Sequence, residues 1–172
     1  GNSLCGVVCQ RQAPQSSEDL NWIVCMRIVI NGFGRIGRTV LRQVLRLSEG
    51  EAIEVVRIND IAPLETCAYL FKYDSVFGPW PGEVTAGEGT LTVDGREIVF
   101  SAEPYLSLLD LSQVDVVLEC TGKADTREIA ERGLKAGAAN VLISGPSKAA
   151  DITLVLGANE DQLGHHRIVS NG

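Results

Sequence analysis

From Met26 onward, short apolar runs alternate with segments whose apolar positions recur every three or four residues. Arg27–Asn31 reads as a strand. Arg35–Leu47 reads as a helix, with Ile36, Val40, Leu41, Val44 and Leu45 on one broad face and Arg38, Arg42 and Arg46 outward. Gly50 closes that region, and Ile53–Ile58 is a second strand. Pro63 suits the first turn of a short helix reaching about Leu70. Residues 76–88, rich in Gly and Pro, form a loop. Leu91–Val93 and Glu97–Phe100 flank Asp94-Gly95, which fits a type I′ turn and predicts a hairpin. Then come a strand at Val114–Glu119, a helix at Asp125–Lys135 ending near Gly137, and strands at Asn140–Ser144, Ile152–Leu156 and Arg167–Val169.

Strand–helix–strand alternation with apolar strands predicts an α/β fold built on a mostly parallel sheet. The hairpin is a small antiparallel insertion in it. After residue 146 two strands appear with no long helix between them. One sheet face is therefore expected to lack a layer. Covering apolar sheet is worth roughly 25 cal/mol per Å². The missing layer is expected from another segment, from self-association or from a second chain. Residues 1–25 have no strong period and read as an N-terminal extension, with residues 26–172 as the domain.

Composition narrows the partners. The 172 residues suffice for one domain with a full core. The chain contains no run of 18 apolar residues to span a membrane and no signal-type apolar stretch in residues 1–25. A formal charge of −7 repels phosphate backbones and argues against nucleic acid. It leaves room for a dinucleotide, whose phosphates backbone N–H groups can meet locally. The five cysteines are odd in number and irregularly spaced, which favours reduced thiols in a cytosolic-type compartment, so a cytoplasmic protein is expected. Cys5 and Cys9 have no second pair to complete a metal set, so metal is not expected.

Candidate chemistry starts at Gly32-Phe33-Gly34-Arg35-Ile36-Gly37, a G-x-G-x-x-G run between strand and helix. Gly32 allows the tight turn, Gly34 clears the approach of a pyrophosphate, and Gly37 lets the helix pack close to the sheet. The amides of Arg35 and Ile36 are helix-terminus donors suited to phosphate. Asn59-Asp60 ends the second strand, where a carboxylate can accept both ribose hydroxyls of NAD and repel the 2′-phosphate of NADP. Arg38 and Arg57 read as solvated surface arginines; the alternative, in which either meets a 2′-phosphate and softens that preference, stays open. Thr121-Gly122 and Ser144 end two later strands on the same edge. Cys120, with no histidine near in sequence, reads as a buried small residue, and His165-His166 as a surface pair. The expected architecture is a Rossmann-type fold.

Asn31–Arg38, Val55–Asp60, Lys72–Gly78, Glu119–Lys123 and Arg167–Asn171 together resemble the NAD-binding domain of the glyceraldehyde-3-phosphate dehydrogenase family. Erythrose-4-phosphate dehydrogenase shares the plan. The resemblance covers roughly residues 26–171 and implies NAD as cofactor. It puts Gly32, Phe33, Gly34, Arg35 and Ile36 around the pyrophosphate, and Asp60 on the adenosine ribose with Asn59 beside it. Thr121, Gly122 and Ser144 then lie along the path to the nicotinamide. It also implies that a cysteine nucleophile and its activating histidine belong to a half not contained in these residues. The chain by itself is then expected to bind cofactor without turnover. Ala102 stands before Glu103-Pro104 where the family often has a basic residue, and Gly145 stands where alanine is common. Two other readings stay open: a non-catalytic interaction or scaffold module on the same fold, and an enzyme of another class such as a short reductase.

Overall fold

The computed structural model describes residues 25–47 and 53–172. The expectations for residues 1–24 and for Gly50 lie outside them. Strand β1 (Met26–Asn31) leads through the glycine run into helix α1 (Arg35–Arg46). Strand β2 (Ile53–Asn59) and helix α2 (Leu64–Lys72) follow, the helix opening after Pro63. The stretch expected to be a loop holds two short strands of its own. A two-stranded hairpin pairs β3 (Tyr73–Asp74) with β4 (Gly78–Pro79), and β5 (Val84–Gly87) comes next. β6 (Thr90–Val93) and β7 (Arg96–Ser101) form the expected hairpin. Its turn has φ +50° at Asp94 and +79° at Gly95, as a type I′ turn requires.

The second half contains β8 (Val116–Glu119), the short helices α3 (Arg127–Ala130) and α4 (Arg132–Lys135), and strands β9 (Asn140–Ile143), β10 (Ile152–Leu154) and β11 (Ile168–Asn171). The single helix expected at Asp125–Lys135 is divided at Glu131. Gly133, within its second half, admits close packing, since a Cβ there would meet Val141 Cγ2 at 2.8 Å. Glycine that allows this contact also weakens the helix.

The strand order is β10-β11-β9-β8-β1-β2-β7-β6-β5. Every pairing from β10 across to β7 is parallel, and β7–β6 and β6–β5 are antiparallel. The hairpin insertion thus extends the main sheet, because β7 pairs with β2 in the parallel sense. β1 lies at the centre and is buried on both faces. Ile28 and Ile30 join a core with Leu41, Phe71 and Trp80, while Val29 joins one with Val117, Ala130 and Val141.

Two sequence expectations for α1 are corrected. Arg42, placed outward by periodicity, is 1 % exposed. Phe71 and Trp80 cover that side of the helix. The guanidinium carbon lies 5.2 Å and 5.6 Å from their ring centroids, and Nη2 donates to the Phe71 carbonyl at 2.5 Å. Ile36, placed inward, is 48 % exposed because it sits on the open first turn, before α2 and the sheet begin to cover α1.

After β9 the only helical element among the described residues is a 3-10 turn, Glu160–Gln162, and Leu142, Val155 and Leu156 are exposed. No helix among the described residues is long and apolar enough to cross a membrane. A polar clamp ties the far strands to α3. Arg127 Nη1 donates to Asp151 Oδ1 at 2.5 Å, and Asp151 Oδ2 accepts from the amides of Arg167 and Ile168 at 3.1 and 2.9 Å.

Candidate functional site

The carboxyl ends of β1, β2, β7, β8 and β9 share one edge of the sheet, the edge at which open α/β folds bind ligands. The chain leaves β1 at Gly32 with φ +92°. A Cβ there would also fall 2.7 Å from the amide nitrogen of Thr121. Glycine is therefore required twice over, by torsion and by the neighbouring loop. Gly37 is required by packing alone, since a Cβ would meet the Gly32 carbonyl oxygen at 2.3 Å. Gly34 differs from both: a Cβ there meets nothing within 4 Å. Among the described residues, the space in front of Gly34 is open.

Gly34 is the N-cap of α1, with extended backbone and, among the described residues, no side-chain cap. The first intrahelical bond runs from the Arg38 amide to the Gly34 carbonyl at 3.1 Å. The amides of Arg35, Ile36 and Gly37 thus precede the helix's own ladder. Arg35 and Ile36 are exposed, and Gly37 is buried. A helix terminus with donors, partial positive charge and an approach cleared by glycine fits an anionic diphosphate.

Phe33 enters differently from the glycines around it. Its side chain is 2 % exposed and packs 6.1 Å from the Phe71 ring, so only its backbone belongs to the loop. That backbone is held at both ends. The Phe33 amide donates to Asp60 Oδ2 at 2.6 Å, and its carbonyl accepts from Arg38 Nη1 at 2.9 Å. Asp60 Oδ1 accepts from the Ala62 amide at 2.8 Å. Asp60 therefore clamps the glycine loop to the start of α2, and each oxygen keeps a lone pair for another donor. Beyond Asp60, from Ile61, opens a hollow of about 730 Å³ lined by Pro63, Leu64, Gly87, Phe100 and Ala102.

Asn59 lies beneath this surface. It is 3 % exposed, and its side-chain amide is engaged by Asn31, Ser101 and the Glu103 backbone. Its place is in support of the loops. Thr121 and Gly122 are exposed at the end of β8, with Gly122 open to the same side-chain test as Gly34. The Thr121 amide and hydroxyl both donate to Glu119 Oε1. Ser144, at the end of β9, donates its amide to the Glu119 carbonyl at 3.0 Å. The structure thus gathers Gly34, Arg35, Ile36, Asp60, Thr121, Gly122 and Ser144 along one edge, and puts Gly32, Phe33, Gly37 and Asn59 below or within its walls.

Burial pushes the Cys120 thiol up to about 11, with a bond to Ser144 opposing and the charge of Glu119 reinforcing. Burial, and then Asp60, pushes Cys67 to about 11 as well. Both are neutral thiols near pH 7, and a thiol is a poor nucleophile. No group of three metal-ligating side chains occurs among the described residues.

Sequence reading missed Asn31 and Glu119. Both are buried, at 9 % and 3 %, and they bond to each other. The signal was there: each is the polar residue that closes an apolar strand.

A glycine turn from a central parallel strand into a helix, with a carboxylate ending the next strand, defines a Rossmann-type α/β domain. The family model described as "Glyceraldehyde 3-phosphate dehydrogenase, NAD binding domain" matches residues 26–127, and the chain belongs to that family. It is 51% identical over 148 residues to glyceraldehyde-3-phosphate dehydrogenase of Thermotoga maritima, covering 84% of this chain and 44% of that protein. The enzyme of Pseudomonas aeruginosa is 46% identical over 153 residues, covering 85% and 45%. That of Geobacillus stearothermophilus is 43% identical over 152 residues, covering 86% and 44%. The chain therefore spans less than half the length of these relatives.

Proposed function

We propose that this chain binds NAD along the carboxyl edge of its sheet. The amides of Arg35 and Ile36 meet the diphosphate, Asp60 takes the adenosine ribose, and Thr121, Gly122 and Ser144 border the path to the nicotinamide. Gly32, Phe33, Gly37 and Asn59 hold those groups in place. The observation that carries this reading is the first turn of α1, which among the described residues has no side-chain cap and has open space in front of Gly34. Bound NAD supplies a hydride acceptor. The whole protein is read as a phosphorylating glyceraldehyde-3-phosphate dehydrogenase. Chemistry on the aldehyde is assigned to the part of the relatives outside the matched stretch.

Calorimetric titration of the chain with NAD, NADP and ADP-ribose tests this. NAD and ADP-ribose bind, and NADP binds more weakly because its 2′-phosphate meets the Asp60 carboxylate. Asp60→Ala weakens both cofactors, since it also unclamps the Phe33 and Ala62 amides. The readout is the ratio of affinities, which narrows. Equal affinity for NAD and NADP in the unaltered chain overturns the role of Asp60. No binding of ADP-ribose overturns the site.

A further inference from the structure

We propose that Glu119 and Asn31 are positioning residues: they set the donor–acceptor order of a buried hydrogen-bond relay that holds the two ends of the cofactor edge in register. The inference rests on the NAD-site reading above for its effect on binding, and on the relay's geometry for everything else.

Glu119, Asn31, Asn59 and Ser101 are neighbours in register across four adjacent strands, β8, β1, β2 and β7. Their side chains form one continuous line. The Thr121 amide and hydroxyl donate to Glu119 Oε1. Asn31 Nδ2 donates to Glu119 Oε2 at 2.6 Å, and Asn59 Nδ2 donates to Asn31 Oδ1 at 2.9 Å. Asn59 Nδ2 also donates to the Glu103 carbonyl at 2.9 Å, while Asn59 Oδ1 accepts from Ser101 Oγ at 2.8 Å and from the Glu103 amide at 3.0 Å. The line runs from the Thr121-Gly122 loop to the segment after β7. It passes beneath Gly32, whose amide donates to the Asn59 carbonyl, and beside Asp60, which follows Asn59.

An amide's oxygen and nitrogen are alike in shape, so only their partners fix its orientation. Here the backbone of Glu103 fixes Asn59, because its N–H must donate and its C=O must accept. Asn59 then presents Nδ2 to Asn31, which turns Asn31 Nδ2 toward residue 119. From the other side, the Thr121 amide must also donate to residue 119. Residue 119 therefore has to accept on both oxygens. A carboxylate does this and a carboxamide of the same shape does not. Buried groups left facing like partners are costly, so a mismatch at residue 119 is passed along the line or opens it.

The test is an exchange of isosteric side chains. Glu119→Gln sets two donors against each other at the 2.6 Å contact with Asn31. Asn31→Asp sets two acceptors there. The double variant E119Q/N31D restores the order. Its carboxamide at position 119 accepts from Thr121 and donates to the carboxylate at position 31, which also accepts from Asn59. Each single variant is expected to weaken NAD at least about tenfold and to speed amide hydrogen exchange at Thr121 and Glu103. The double variant is expected to return both to within about threefold of the parent. Single variants that bind NAD and exchange like the parent overturn the proposal. So does a double variant no better than the singles, including the case in which the singles do not fold. If the parent chain fails to bind NAD, the functional reading falls, and the exchange rates at Glu103 still decide the relay.

Discussion

Three glycines of one run are held for different reasons, and two substitutions separate them. Gly37→Ala places a Cβ 2.3 Å from the Gly32 carbonyl oxygen and 3.0 Å from Ile30 Cγ2. An ordinary carbon–oxygen approach is about 3.3 Å, so the first turn of α1 must move off the sheet by about 1 Å. Overpacking of this kind costs about 1–3 kcal/mol, and the helix preference of Ala over Gly returns about 1. Because the clash is with backbone and lies about 1 Å inside contact, the upper end applies, and the net loss is about 2 kcal/mol, or a Tm lower by about 4–8 °C for a domain of this size. The same shift carries the Arg35 and Ile36 amides away from the diphosphate, so NAD binding weakens too. Gly34→Ser is the counterpart. Its Cβ meets nothing within 4 Å, its backbone is extended, and serine is a good N-cap. Tm is expected to hold or rise slightly. NAD affinity falls at least about tenfold because the side chain occupies the ligand's approach. Thermal melts and calorimetry on both variants decide the matter. A Gly37→Ala chain that melts like the parent refutes the packing argument. A Gly34→Ser chain that binds NAD like the parent removes the diphosphate from this loop.

Arg42 and Asp151 give two further tests. Arg42→Ala opens a cavity under Phe71 and Trp80 and leaves the Phe71 carbonyl without its donor, for a loss of about 2–4 kcal/mol in urea denaturation. Arg42→Met loses much less, because Nε and Nη1 of the arginine have no partner among the described residues and an apolar chain removes that burial cost; equal losses in the two variants refute this account. The bond from Arg127 holds the Asp151 carboxyl below its usual range, aided by the amides of Ile168 and Arg167 and opposed by partial burial. A depressed folded pKa gives stability that is present above the unfolded value, near 4, and is lost as pH falls through the folded one. Urea midpoints of the parent should fall below about pH 4 more steeply than those of Asp151→Asn, and parallel profiles refute the linkage.

By itself the sequence determined the alternation of strands and helices, the parallel sheet, the Asp94-Gly95 hairpin and the loop from β1 to α1. These follow from short-range rules: apolar period, glycine at a positive φ, and a turn residue pair. It determined less wherever a residue's fate depends on what crosses over it. Arg42 lies on a face that periodicity marks as outward, and only α2 folding back with Trp80 decides that it is buried. Ile36 fits the apolar stripe, and only the open edge of the sheet leaves it exposed. Asn59 and Asp60 are adjacent in sequence, yet one serves beneath the edge and the other at it. Asn31 and Glu119 stand far apart along the chain. Parallel pairing brings them together, and the donor–acceptor order of their line is a property of four strands at once.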